Sequence, residues 1–402
     1  MKKNNDLNKF DERKEESLKT KERENLISKI LPSAIDGKNL LALSLDLEYA
    51  CSFSFIEYDR RRNDLLKDGK YISLYKYLWP MLIIQCDPEN YIIIDNLYFF
   101  SLEFKSYELE KLERLKQLNK KFFDDIEEIN EFLTFVDDFL KNVYIINKKI
   151  EGLIEPEILK GISPLIKLDY DDTSQPLLKL KSAENQDKHL DISQEYIESL
   201  MLIENKLSQI KKIIENLKIN KNKISELFLK NQNKLPEKVR KLNNIRDKNM
   251  KLLEKSNILY ENLYSEKEYL KRWSIPGSSY SLILPISRIW FPLYIAKIKR
   301  KSGEINWIVA PPLIMQSGSV YGIPIDVFHP SFLTQLKERV ENNFNYIQKY
   351  IPDFTEKQKN LFREKTVNKF IIDGFNKLSK ISGFDIKLLN QVKNTWKEYS
   401  SF

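Results

Sequence analysis

Three residues beside an apolar run have the types and spacing for metal-dependent hydrolysis. Asp95 follows the run Tyr91–Ile94, and Glu103 and Lys105 lie two residues apart, so their side chains share one face of an extended segment. Two carboxylates can hold Mg²⁺, and a lysine can activate water or balance the charge of a phosphate. The alternative is that Glu103 and Lys105 are solvated residues where a charged helix begins.

This arrangement resembles the Asp…Glu-x-Lys motif of metal-dependent nucleases of the PD-(D/E)xK type. The resemblance covers three residues, and the gap of eight from Asp95 to Glu103 leaves little room for a turn between two strands. It implies a Mg²⁺-dependent nuclease. Outside this alternative we predict no cofactor and no metal site, and we consider an enzyme the less favoured class.

A second pair of carboxylates lies in an alternating segment. Apolar and polar or small residues alternate from Leu41 to Phe55, which predicts two strands or one bent strand with Asp46 and Glu48 on the polar face, the alternative being a helical start. Such a pair either binds a metal or lies on the solvated face of an edge strand. The chain has two cysteines and two histidines, too few for a zinc site.

The main binding candidate is a basic segment inside a long helical pattern. Residues 218–255 contain twelve basic and four acidic residues, a net charge of +8 that equals that of the whole chain. Such a surface can neutralise nucleic-acid phosphates, while the absence of aromatic residues from 231 to 255 provides no base stacking. The predicted contacts are Lys230, Lys234, Lys238, Arg240, Lys241, Arg246 and Lys248. The alternative is a solvated coiled coil.

An antiparallel helical hairpin positions these cations. Residues 190–272 carry apolar residues at coiled-coil spacing, from Leu200 to Leu217 and again from Leu242 to Leu263. Pro236 interrupts the pattern and places the tip near residues 231–238. The predicted arm is similar, in shape alone, to the tRNA-binding arm of seryl-tRNA synthetase.

Two hairpins with a common residue order lie on either side of the arm. Trp79-Pro80 and Phe291-Pro292 each lead an apolar strand, a polar turn and a returning apolar strand. They are either ordinary hairpins or an internal duplication. An aromatic cluster near the second hairpin is either core or a partner-binding surface. Its candidate residues are Trp273, Arg288, Trp290 and Trp307.

The predicted fold class is α+β and mostly helical, with a small β-containing head of two hairpin elements and the long coiled-coil arm. The predicted domains are a charged leader (1–35), a β-plus-helix domain (36–150) with one long helix over 107–150, a linker (151–189), the arm (190–272), a second β element (273–330) and a helical C-terminal region (331–402).

The composition narrows the classes of function. The chain has only 10 glycines, which disfavours glycine-rich nucleotide-binding folds, and its charged first 30 residues do not form a secretory signal. We therefore predict a cytoplasmic accessory or scaffold protein with a protein partner or a second copy of itself. Nucleic acid is a candidate partner through the arm tip, and neither a membrane nor a small-molecule substrate is indicated. The alternatives are the Mg²⁺-dependent nuclease and a self-assembling structural coiled coil.

Overall fold

The structure is a computed structural model, and its described residues fold as two compact units. Unit 1 draws its residues from 1–100, 152–189 and 274–402, and unit 2 from 101–151 and 190–273. Helices and strands are both present and helical residues are the majority, which confirms the mixed, mostly helical composition. The described residues are 27–87, 90–109, 125–168, 170, 178–181, 186–231, 236–276, 286–316, 324–328, 334, 349–350, 359–381 and 383–400.

Unit 1 is built on a seven-stranded sheet in which two long strands pair antiparallel at the centre. The strands of both predicted hairpins are antiparallel neighbours in this sheet. The strands are β1 (Ile27–Ile30), β4 (Lys70–Asp87), β5 (Asn90–Asp95), β8 (Leu178–Lys179), β9 (Ile275–Pro276), β10 (Ile286–Lys299) and β11 (Ile305–Ala310). A smaller sheet contains β2 (Ala34–Asp36), β3 (Leu41–Ala42), β12 (Leu313–Met315) and β13 (Ile325–Val327).

The two aromatic-proline pairs meet at the centre of the large sheet. Trp79 pairs with Phe291, so that Pro80 lies opposite Trp290 and Pro292 lies opposite Leu78. Each long strand then pairs with its own hairpin partner over its second half, β4 with β5 and β10 with β11. The halves of the sheet are thus related by an approximate two-fold axis through the Trp79–Phe291 pair.

The short parallel strands obey the same symmetry with crossed partners. β1 pairs with β10 and β8 pairs with β4. The amide of Leu31 donates to the carbonyl of Trp290 at 2.9 Å, and the amide of Leu180 donates to the carbonyl of Leu78 at 3.0 Å. This equivalence, down to single hydrogen bonds, is the arrangement that an internal duplication predicts.

Helices cover both faces of the large sheet. One core contains the apolar side of α3 (Pro156–Ile166) against odd-numbered residues of β4 and β10, and the other contains α1 (Leu45–Arg62), α6 (Lys365–Leu378) and α7 (Ile386–Ser400). The linker prediction for 151–189 is therefore wrong where α3 and β8 form. The leader prediction for 1–35 is wrong at its end, because the backbone of Ile27–Ile30 pairs with β10.

From Leu45 on, the alternating segment is a helix, which corrects the strand prediction there, and only Leu41–Ala42 form a strand, β3. Helix α1 begins at Leu45. Its ten buried residues are distributed around the helix, so there is no contrast between a solvent-exposed face and a buried face. Small residues let neighbours approach closely, and a Cβ at Gly374 of α6 would overlap the carbonyl of Asp46. Period-two alternation reports strand only where one face meets solvent, and here neither face does.

Unit 2 contains β6 (Ser101–Leu109), α2 (Ile126–Lys141), β7 (Val143–Glu151), most of α4 (Gln186–Asn231) and α5 (Pro236–Lys271). The predicted continuous helix over 107–150 is wrong. Helix α2 begins after Asp125, whose Oδ1 accepts hydrogen bonds from the amides of Glu127 and Glu128 at 2.9 and 2.8 Å. The run of β-branched and aromatic residues at 143–146 instead pairs with β6.

Helices α4 and α5 contact each other in antiparallel orientation. The Tyr196 hydroxyl donates to the Leu270 carbonyl at 2.9 Å near one end, and the Asn249 amide nitrogen donates to the Leu217 carbonyl at 3.1 Å nearer the other. The buried face of α4 is wider than the predicted seam and includes Lys206 and Asn220. These polar positions were not predicted as core, because hydrophobicity alone identified the seam.

Candidate functional site

The predicted basic residues lie on the last turn of α4 and the first half of α5. Lys230, Lys238, Arg240, Lys241 and Arg246 are exposed, whereas Lys234 lies outside the described residues. We call these five exposed residues the basic tip surface. The guanidinium of Arg246 lies 5.8 Å from the ring centre of Phe228 on α4, and its Nε lies 3.6 Å from Asp247. The other four cations have no such contact within the described ranges.

Lys248 points to a different neighbour, which corrects its place in the predicted site. Its Nζ donates to Thr134 Oγ1 of α2 at 2.9 Å. The hydrogen bond from Lys141 lowers the pKa of Asp137, and the charges of Lys255 and Lys248 lower it further. Part of the basic stretch is therefore balanced inside unit 2 by an acidic helix, which the sequence could not place beside α5.

A buried polar layer lies next to the basic tip surface. Asn220 and Asn249 are both 1% exposed, and Asn249 uses its amide nitrogen on the Leu217 carbonyl. Both side-chain atoms of Asn220 and the amide oxygen of Asn249 have no partner among the described residues. A buried asparagine costs stability but penalises sliding of one helix along the other. This layer therefore favours a single register for the helices that carry the cations.

Farther from the tip, unit 2 buries a lysine. The Nζ of Lys206 lies 3.5 Å from Glu108 Oε2 of β6, and the side chain is 4% exposed. Burial lowers the pKa of Lys206, and Glu108 opposes that shift. The pair joins β6 to α4 and keeps Lys206 off the outer surface, so we assign it to the internal structure of unit 2.

Asp95 forms a corner of unit 1. Its Oδ1 accepts from the Trp79 indole and from the Leu97 amide at 2.9 Å, and its Oδ2 accepts from the Phe99 amide at 2.6 Å. Burial raises the pKa of Asp95 to about 6 despite these hydrogen bonds. Both oxygens are engaged, so metal binding would require breaking the bonds that hold the turn after β5.

The other two nuclease candidates belong to unit 2. Glu103 and Lys105 are exposed on β6, where they share a face as their spacing predicted, but the segment is a strand and not a helix start. The backbone amide of Lys105 donates to Glu266 Oε1 of α5 at 2.6 Å. Within the described ranges, no group of three or more histidine, cysteine or carboxylate side chains is placed to hold a metal ion.

Asp46 and Glu48 do not form a carboxylate pair, because α1 turns them toward different partners. Asp46 accepts from Ser44 at 2.6 Å and pairs with Lys377. Glu48 is fully buried; its Oε1 accepts from Lys76 Nζ at 2.6 Å and from the Tyr294 hydroxyl at 2.8 Å, and its Oε2 accepts from Tyr170.

Electrostatics keeps the Glu48 network charged. Burial by itself raises the pKa of Glu48, but the charge of Lys76 and the hydrogen bonds from Lys76 and the two tyrosines hold it below its ordinary value. Burial, aided by the charge of Glu48, raises the pKa of the Cys51 thiol, which makes that thiol a poor nucleophile. The network is a buried ionic junction between α1 and β4. The alternating pattern predicts a strand with Glu48 on its polar face, so the sequence alone does not indicate this junction.

The aromatic candidates divide between core and surface. Trp273 and Trp290 are buried, and the Trp290 indole donates to Ser28 Oγ at 2.8 Å, so neither is a free anchor for a partner. Arg288 is half-buried, with its guanidinium 5.9 Å from the Trp290 ring. Trp307 is half-buried beneath Lys297, whose Nζ lies 5.0 Å from its ring centre. Trp307 is thus the accessible aromatic residue of the predicted set.

Comparisons with protein-family models, curated proteins and solved structures gave no match to this chain. In the part of the chain that the structure describes, no helix has both the length and the apolar composition required to cross a membrane. Any function must therefore be argued from the surfaces themselves.

Proposed function

We propose that this chain is a cytoplasmic, non-enzymatic accessory or scaffold protein. In this proposal, α4 and α5 form an antiparallel coiled-coil arm whose basic tip surface contacts nucleic acid. Unit 1 is the head that docks on a protein partner, with Trp307 as a candidate anchor. The observation that carries the proposal is the exposure of the tip cations without carboxylate partners in the described ranges, Arg246 beside Asp247 excepted.

The expected mode of contact is phosphate neutralisation. Lysine and arginine side chains on a helical surface release condensed counterions when they meet phosphates, which gives affinity with little sequence preference. Phe228, an aromatic residue beside the tip surface, is half-buried below Arg246. Base stacking therefore contributes little, and duplex and single strands should differ mainly in charge density.

The test is fluorescence anisotropy with labelled duplex DNA, single-stranded DNA and RNA at roughly 50 and 200 mM salt. The test variant carries Lys238→Glu, Arg240→Glu and Lys241→Glu. If each cation neutralises one duplex phosphate, the slope of log affinity against log salt falls by about 2.7. Wild-type binding should drop steeply with salt, and binding of the variant should be weak at both concentrations.

A control variant separates the tip from net charge. Lys365→Glu, Lys369→Glu and Lys380→Glu reverse three exposed cations of unit 1 and change the net charge by the same amount. This control should keep nearly all of the binding. Equal loss in both variants would show that net charge alone attracts the polyanion, and absence of wild-type binding at low salt would reject the arm as a nucleic-acid contact.

The nuclease alternative gains no support from the site. It needs Asp95 as a metal ligand, and both oxygens of that carboxylate already accept hydrogen bonds from unit 1. Mg²⁺-dependent cleavage that is lost in Glu103→Ala and kept in Glu127→Ala, an exposed carboxylate of α2, would nevertheless reinstate it. The self-assembly alternative predicts a concentration-dependent mass without nucleic-acid binding.

A further inference from the structure

Strand β7 leaves three large apolar side chains in contact with solvent. Tyr144, Ile145 and Ile146 are 47%, 54% and 41% exposed. They are consecutive, so both faces of the strand contribute. In the part of the chain that the structure describes, β7 pairs with β6 alone, and β6 has α5 on its opposite side, where Glu266 accepts from the Lys105 amide. Among the described strands, the outer edge of β7 is therefore unpaired, and it is unusually apolar for such an edge.

The alternation of hydrogen-bonded and non-hydrogen-bonded pairs between β6 and β7 shows which backbone groups of β7 point away from β6. The Lys105 amide is directed away from β7, so the pair Lys105↔Asn147 is a non-hydrogen-bonded pair of the antiparallel ladder. The bond from the Gly152 amide to the Phe100 carbonyl, at 2.7 Å, fits the same phase. It follows that Ile145, Asn147 and Lys149 direct their N–H and C=O groups outward. No described strand pairs with that edge.

We propose that this edge is a homodimer interface, in which β7 pairs antiparallel with β7 of a second copy about a two-fold axis at Ile146. In this register the outward groups of Ile145 meet those of Asn147 in the other copy. On one face Ile146 packs against Ile146 of the other copy, and Tyr144 lies opposite Lys148, where ring and ammonium attract. The product is a continuous four-stranded sheet, which is more stable than two separate two-stranded sheets.

Neighbouring registers are less complementary, which favours the one centred on Ile146. A two-fold axis at Ile145 pairs only residues 143–147 of the two copies, against 143–149 for the axis at Ile146, because α2 ends at Lys141 and β7 begins at Val143. An axis at Asn147 sets Ile145 opposite Lys149 and Ile146 opposite Lys148, which leaves each isoleucine facing an ammonium group. The strand therefore complements itself best in one register, as a two-fold symmetric interface requires.

The first test is site-directed crosslinking under mild oxidation, in full-length protein carrying Cys86→Ser. Residues in a non-hydrogen-bonded antiparallel pair have Cα atoms about 4.5 Å apart, a separation that a disulfide can span. Ile146→Cys should therefore give a covalent dimer. Tyr144→Cys lies on the same face with similar exposure, but its two copies would be about 13 Å apart and should not crosslink. No dimer from Ile146→Cys, or equal yields from both variants, would overturn the proposal.

The second test measures mass against concentration by analytical ultracentrifugation. Asn147→Pro removes an outward donor but no β6–β7 bond, so unit 2 should keep its circular dichroism while self-association weakens about tenfold or more. Ile145→Lys places a charge on the edge and should have the same effect. A wild-type protein that remains monomeric at every concentration, or a dimer that both variants preserve, would show that the edge is not a homodimer interface.

Discussion

Replacing Lys76 with methionine should be far more destabilising than its apolar setting suggests. Lys76 and Glu48 are both 0% exposed and their charged atoms lie 2.6 Å apart. Methionine roughly fills the volume of the lysine stem, but among the described residues it leaves the carboxylate with the hydroxyls of Tyr170 and Tyr294 as its remaining donors. Removing one partner of a buried ion pair typically costs about 3–5 kcal/mol, because the other charge stays buried without compensation.

The stability of Lys76→Met should depend on pH in the direction opposite to that of the wild type. In the wild type the pKa of Glu48 lies below its ordinary value, so its stabilisation is complete above that value and is lost only as pH falls through the folded-state pKa. In Lys76→Met, burial is no longer offset by the lysine charge and the pKa rises above the ordinary value. The variant should then lose stability as pH rises from about 5 to 8, a window in which wild-type Glu48 does not titrate.

The assay is urea unfolding at pH 5.5 and pH 8, followed by tryptophan fluorescence, since four of the five tryptophans lie in unit 1. Lys67→Met is the matched control: Lys67 pairs with Asp64 at 3.0 Å, but the two side chains are 53% and 91% exposed, so no measurable change is expected. Adding Glu48→Gln to Lys76→Met should restore part of the loss and remove its pH dependence. A Lys76→Met variant as stable as the control, or equally stable at both pH values, would refute the account of the junction.

Two further substitutions test the buried polar residues. The pKa of Asp95 is raised to about 6 from 3.8, so the folded state holds the proton longer than the unfolded state and stability falls as pH rises through that interval, by about 3 kcal/mol at most. Asp95→Asn should abolish this fall. Because one oxygen acceptor is lost, the variant should also lose about 1–3 kcal/mol of unfolding free energy at pH 4. Denaturant unfolding across pH 4–7 measures both effects, and a change of stability with pH equal to that of the wild type would contradict the assignment. Asn220→Leu should raise the thermal midpoint of unit 2, because it removes a buried amide without partners in the described ranges. Calorimetry would detect the change, and a lowered midpoint would indicate that the amide has a bound partner.

The sequence by itself predicted the features that depend on neighbouring residues. The turn between Met81 and Ile94 and the periodicity of α4 and α5 are local signals, and the observed strands and helices follow them. The charge of residues 218–255 is a property of composition alone. These signals predict hairpins, long helices and a basic surface without reference to any tertiary contact.

Tertiary structure decided how the charged residues are used. Glu48 belongs to a buried junction with Lys76 because its segment folds as a helix with buried residues on all sides, although the sequence alternates like a strand. Lys248 contacts α2 because Thr134, more than a hundred residues earlier in the chain, supplies its acceptor. Asp95 is held by the Trp79 indole of the neighbouring strand β4, a contact that requires the β4–β5 pairing to form. Hydrophobic periodicity is encoded locally, whereas the partner of a buried charge is set by packing between distant segments, and a single sequence does not contain that information in local form.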